Sequence, residues 1–121
     1  MVFALSLPLT MVISIMKLTP LPEKRQAMLD ILRSVAIIAP GMPGCLDCQI
    51  YEEDSSAHRI VYVEHWQSRG PLEQHIKSGL YLRVLTAVEL ASEPPEIQFH
   101  EVSETMGMEL ITALRTRESE R

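Results

Sequence analysis

The chain has 121 residues, enough for one domain with short appendages and a single core that takes roughly two thirds of the unfolded surface out of water. Lys and Arg total 11 and Asp and Glu total 16, leaving a formal net charge of -5. This is the wrong sign for a protein that grips phosphates through a basic face. Apolar residues at 46% and charged residues at 22% fit a globular domain rather than a disordered one, and with neither GxGxxG nor a P-loop motif present, no dinucleotide or nucleotide site is expected.

Residues 1–16 (MVFALSLPLTMVISIM) carry no charge, and Lys17 is the first basic side chain. The run lacks the basic start and clear small-residue cleavage site of an export signal. Pro8 interrupts it, and it is too short to span a bilayer. Residues 1–10 therefore read as an N-terminal extension, 11–115 as the folded domain and 116–121 as a solvated tail, and Met11 would serve as a start. No membrane role is expected.

Val12 to Lys17 is a β-prone run, after which Thr19, Pro20 and Pro22 punctuate the chain. From Glu23 to Ala39, Met28, Ile31, Leu32, Val35 and Ile38 recur at helical spacing, until Pro40-Gly41 stops the helix. Leu46, Cys48 and Ile50 alternate with Asp47, Gln49 and Tyr51 in strand fashion, which sends the three apolar residues to the core. Asp54-Ser55-Ser56 turns the chain into a second strand, Ile60 to Trp66. Ser68 stands where a helix N-cap would, and Leu72, His75 and Ile76 share a helical face. Ser78-Gly79 breaks that helix, and a second segment carries Leu80, Val84, Leu85 and Val88 as far as Pro94-Pro95. Glu96 to Val102 alternates as a fourth strand, and Met106, Leu110, Ile111 and Leu114 mark a final amphipathic helix.

This order is β–α–β–β–α–β plus a helix. It is the α+β, ferredoxin-like split βαβ arrangement, with a four-stranded antiparallel sheet and helices on one face. The other face, with Val61 and Val63, would be wet in a monomer. A homodimer through that open sheet face is the simplest cover.

Chemistry concentrates between Tyr62 and Tyr81. Tyr62, Glu64 and Trp66 project from one strand face because they lie two apart. His75 sits on the next helix, and Ser78 and Tyr81 come just after it. A pocket between sheet and helices would have Trp66 and Tyr62 as flat walls and Glu64 and His75 as polar groups. This suits a small aromatic ligand. Imidazole can take a proton from a phenol or hydroquinone, and Glu64 could orient it. The same residues also read as ordinary core, with a buried His–Glu pair linking strand to helix.

Cys45 and Cys48 form a CxxC, half of a zinc site or a redox motif. No second pair of ligands accompanies it, so no metal is expected. In a regular strand the two cysteines face opposite ways and cannot bridge. With two cysteines and no export signal, a reducing cytoplasm is the default compartment. His58, His65 and His100 stand apart, without metal-ligand spacing, although His65 faces the side on which a second copy would sit.

The run IVYVEHWQSRGPLEQHIKSGLYLRVL resembles the antibiotic biosynthesis monooxygenase (ABM) domain family. The family pattern is an aromatic-x-Glu-x-Trp strand end, a helix with Leu-x-x-His, then Ser-x-x-aromatic. Tyr62, Glu64, Trp66, Leu72, His75, Ser78 and Tyr81 occupy those positions. The likeness runs from about Met11 to Leu114, and it implies a ferredoxin-like dimer forming an α/β barrel. It also implies a cofactor-independent monooxygenase acting on a quinol-like or phenolic compound with O₂, using no flavin or metal. Under that reading His75 and Glu64 are catalytic, and Trp66, Tyr62, Ser78 and Tyr81 bind substrate. The alternative is a non-catalytic module that binds or senses a small hydrophobic molecule on the same fold. Heme degradation is disfavoured. The heme-degrading members use an Asn on the first strand and an axial His, whereas this chain has no Asn, with Ser14 near the first position and Leu85 near the second. Gly70-Pro71 also replaces the more usual Glu-Ala at the helix opening.

Overall fold

The computed structural model describes residues 10–119. The N-terminal extension therefore lies almost wholly outside the described residues, as does the end of the C-terminal tail. The elements in order are β1 (Val12–Leu18), α1 (Arg25–Ile38), β2 (Cys45–Glu52), β3 (Ile60–Trp66), α2 (Arg69–Lys77), α3 (Tyr81–Glu89), β4 (Glu96–Glu101) and α4 (Met108–Ser119). Short 3-10 turns at Pro22–Lys24 and Ala39–Gly41 bracket α1. At both, Pro sits in the first turn, where its missing N–H leaves no bond unmade.

The four strands form one sheet in the order β2-β3-β1-β4, every neighbouring pair antiparallel. This is the ferredoxin-like topology expected from the element order. Along β1, Val12, Ser14, Met16 and Leu18 are buried and the residues between them half-buried. Along β3, Ile60, Tyr62, Glu64 and Trp66 are buried in the same alternation. The pairings Val12 with Trp66 and Ser14 with Glu64 put both buried sets on one face. Helices cover that face. Met28, Leu29, Leu32 and Val35 of α1 and Val84 and Ala87 of α3 pack with Met16, Leu18, Ile60 and Tyr62 into the main core. On the far face Ile13, Ile15, Val61 and Val63 stay only half-buried.

β2 departs from the regular strand. Cys45 pairs with Trp66 and Asp47 with His65, so Leu46 is the extra residue of a β-bulge. The bulge resets the alternation. Cys45, Cys48 and Ile50 all point to the helix side and pack against the core, while Leu46 is 55% exposed. The expectation that Leu46 is core and that the two cysteines face opposite ways is thereby corrected. Sequence alternation cannot show one inserted residue, because both phases contain apolar side chains.

Local contacts at the start of β2 and at the hairpin ends set α2 and the sheet in place. Gly44 has φ of +84°, and a Cβ there would stand 2.5 Å from Cβ and Cγ of Pro71. The glycine lets the start of β2 touch the start of α2, and its carbonyl accepts the N–H of Gln67 at 2.7 Å. Ser68 does occupy the N-cap position of α2, but its side chain makes no capping hydrogen bond. At the other end of the β2–β3 hairpin, Arg59 grips Glu53 with two nitrogens at 3.0 and 3.1 Å and reaches Glu96 of β4 at 3.3 Å. That clamp holds the Glu53 carboxyl below its usual range.

Helix α4 exists but lacks the packing its sequence implies. Leu110, Ile111 and Leu114 are 41%, 51% and 50% exposed.

Candidate active site

Glu64 lies at the centre of the covered sheet face and is fully buried. A buried carboxylate is costly unless donors surround it. Here three donors do so: Tyr62 Oη at 2.5 Å and His75 Nε2 at 2.8 Å meet Oε2, and Trp66 Nε1 at 3.0 Å meets Oε1. The network extends outward, because the Cys48 thiol donates to Tyr62 Oη at 3.3 Å. Ser14, buried on β1, pairs across the sheet with Glu64.

The strand period delivers Tyr62, Glu64 and Trp66 together, and α2 delivers His75 to them. His75 is held by its rings as well as its hydrogen bond. Its ring centroid lies 4.8 Å from that of Trp66 and 5.2 Å from that of Tyr81, the latter edge-on. Ser78 Oγ donates to the His75 carbonyl at 2.6 Å, and the Ser78 N–H binds the same oxygen. Ser78 therefore caps α2 and fixes the backbone of His75, and its hydroxyl does not join the carboxylate cluster.

The cluster shapes its titratable neighbours. Burial, then the charge of Glu64 and the thiol of Cys48, push the Tyr62 phenol well above its ordinary range. Burial and then Glu64 push Tyr81 up to about 12. Cys48 is also pushed up to about 12, first by burial and against the lowering effect of its bond to Tyr62. All three stay protonated at neutral pH and can act as donors.

His75 Nδ1 is the buried side-chain nitrogen or oxygen left without a hydrogen-bond partner among the described residues. In the neutral ring that gives Nε2–H to Glu64, Nδ1 carries the lone pair. A carboxylate that fixes the tautomer of an imidazole and leaves its far nitrogen free to accept a proton is the arrangement a general base needs.

The structure thus brings Tyr62, Glu64, Trp66, His75 and Tyr81 together. They are packed closed, and all five are buried. Beside them is a groove of about 350 Å³ between α2 and β4, lined by Val12, Arg69, Leu72, Glu73, Ile76, Phe99 and Glu101. Val12 and Leu72 belong to both places, since they line the groove and also pack against Trp66. Sequence reading missed this groove. Its sequence signals are Leu72 and Ile76 on one face of α2 and the apolar Phe99 on β4, which pairs with Ser14. Leu85, near the position of an axial heme ligand in the family pattern, lies on α3 at 46% exposure.

Residues 11–87 match the family described as antibiotic biosynthesis monooxygenase. The chain belongs to that family. The ABM match covers β1 through most of α3, and therefore all of the Glu64 cluster. An uncharacterised protein of Synechocystis is 22% identical over 88 residues, 72% of this chain, and the chain spans only 60% of that relative's length. Among solved structures, a protein from Mycobacterium tuberculosis superposes with a TM-score of 0.73 at 23% identity, covering 80% of this chain and 99% of its own. A conserved protein from Methanosarcina mazei gives 0.71 at 23%, covering 78% and 94%. A protein described as an antibiotic biosynthesis monooxygenase gives 0.69 at 16%, covering 77% and 99%. These likenesses establish the ABM fold. No helix among the described residues is long and apolar enough to cross a membrane.

Proposed function

We propose that this ABM chain is a cofactor-independent monooxygenase that oxidises a small quinol-like or phenolic compound with O₂. The observation that carries the reading is the fully buried His75, tied through Nε2 to Glu64 and carrying an unpartnered Nδ1. A burial so expensive is what a proton-handling site needs and a plain core avoids.

In this reaction His75 Nδ1 takes the phenolic proton, and Glu64 steadies the resulting imidazolium. The electron-rich phenolate passes one electron to O₂, and the radical pair joins as a carbon–oxygen bond. Loss of water from the peroxide leaves the carbonyl of a quinone. A phenol and O₂ thus give a quinone and water, with the substrate supplying the electrons and no flavin or metal drawn upon. Trp66 and Tyr62 form the walls. Tyr81 holds the imidazole from its edge, and Ser78 secures the backbone beneath it.

A second copy covers the half-buried far face of the sheet, burying Ile13, Ile15, Val61 and Val63 and closing an α/β barrel. A reducing cytoplasm suits the two free thiols.

Oxygen uptake with a panel of quinols and phenols tests the chemistry: substrate-dependent uptake supports it, and uptake by none of them refutes it. The second reading, a module that binds a small hydrophobic molecule without turning it over, draws on the closed packing of the cluster beside an open groove. Trp66 is the sole tryptophan, so ligand binding is read from its fluorescence. Quenching without oxygen uptake selects the binding module.

A further inference from the structure

The C-terminal part of the chain leaves its apolar side chains in the open. β4 is exposed along its whole length, with Ile97 and Phe99 on its helix side, and α4 follows it with an exposed stripe of Leu110, Ile111 and Leu114. These three are neighbours at helical i,i+3 and i,i+4 spacing. A helix of 12 residues is marginal in water without tertiary packing. The same molecule carries an apolar groove of matching kind. Its floor is Val12, Leu72, Ile76 and Phe99. Its rim charges are spent on one another, Arg69 pairing with Glu73 at 2.7 Å and with Glu101 at 3.8 Å. A rim neutralised in this way favours an apolar occupant over a charged ligand.

The α4 stripe does not fill the groove of its own chain. The Val102 N–H donates to the Met11 carbonyl at 2.8 Å, continuing the β1–β4 pairing past Glu101 and carrying the backbone onward before α4 begins. We infer that α4 is an arm that lies in the α2–β4 groove of a second copy of this chain, Leu110, Ile111 and Leu114 seated over Leu72, Ile76 and Phe99. A two-fold axis lets each copy offer its arm and receive the other, so both apolar surfaces are satisfied at once. The ABM match ends at residue 87, before α4 begins. The docking requires neither the oxygenase chemistry nor a particular pairing of the sheets.

Two measurements on the full chain test it. In a Cys45→Ser background, protein carrying Ile76→Cys is mixed with protein carrying Ile111→Cys and mildly oxidised. A covalent dimer in the mixture, absent from the Ile76→Cys protein alone, is the expected result. No covalent dimer, or a chain bearing both substitutions that closes on itself as a monomer, overturns the inference. In sedimentation equilibrium, Leu110→Glu with Leu114→Glu should weaken the dimer at least tenfold, each tenfold being about 1.4 kcal/mol, while circular dichroism stays unchanged. A variant dimer as tight as the unaltered one, or an unaltered chain that sediments as a monomer, also overturns it.

Discussion

Glu64 is the residue on which the interior is organised. Each of its donors has a different task, and substitutions separate them. His75→Gln keeps a donor for the carboxylate but removes the ring nitrogen that accepts a proton. Oxygen uptake should then fall by about 10²- to 10⁴-fold, the usual worth of a general base, in a variant whose circular dichroism shows that it still folds. Full turnover in that variant would remove His75 from the mechanism. Glu64→Gln keeps the volume but presents an amide N–H to a ring of donors. It should cost about 1–3 kcal/mol, as for a buried donor left unsatisfied, measured by urea unfolding. The two thiols separate as well. Burial raises both, Cys48 to about 12 and Cys45 by less. At pH 8 a thiol reagent should label Cys45 slowly and Cys48 only after unfolding.

At the scale of elements, the site depends on how α2 is set against the sheet. The contact of Gly44 with Pro71 and the cap at Ser78 fix its two ends. Gly44→Ala meets both a left-handed backbone and the 2.5 Å approach to the proline ring. It should destabilise the protein by more than about 1 kcal/mol. Adding Pro71→Ala should recover part of that loss, the share due to contact rather than to φ, and a double-mutant cycle measures it. The strands were readable from alternation because β1 and β3 follow it without interruption. β2 departs from its alternation at Leu46, since a bulge is decided by pairing with β3 and leaves no mark in the β2 pattern. The final helix was legible as a helix, but the exposure of its apolar stripe was not.

For the whole molecule, the protonated interior sets the pH range of stability. Cys48 titrates near 9.0 when unfolded and about 12 when folded, and Tyr81 near 10.0 and about 12. Above pH 9 the unfolded chain therefore loses protons that the folded one keeps. Stability is fully present below that point and falls as pH rises toward 12. Urea midpoints across pH 8 to 11 should decline, and Cys48→Ala should flatten the first part of the decline. A midpoint that holds steady through this range would contradict the buried, protonated cluster.

The sequence by itself determined the order of elements, the sheet topology, the family and the meeting of Tyr62, Glu64, Trp66 and His75. The elements and the faces follow from short-range periods that place side chains, and the family from the resemblance of the motif between Tyr62 and Tyr81. Only the tertiary structure decided that the cluster is closed, that the opening lies beyond Val12 and Leu72, that Cys45 and Cys48 share a face, and that α4 keeps its apolar stripe exposed. Each of these depends on the space left between segments distant along the chain, and a local pattern holds no record of that space.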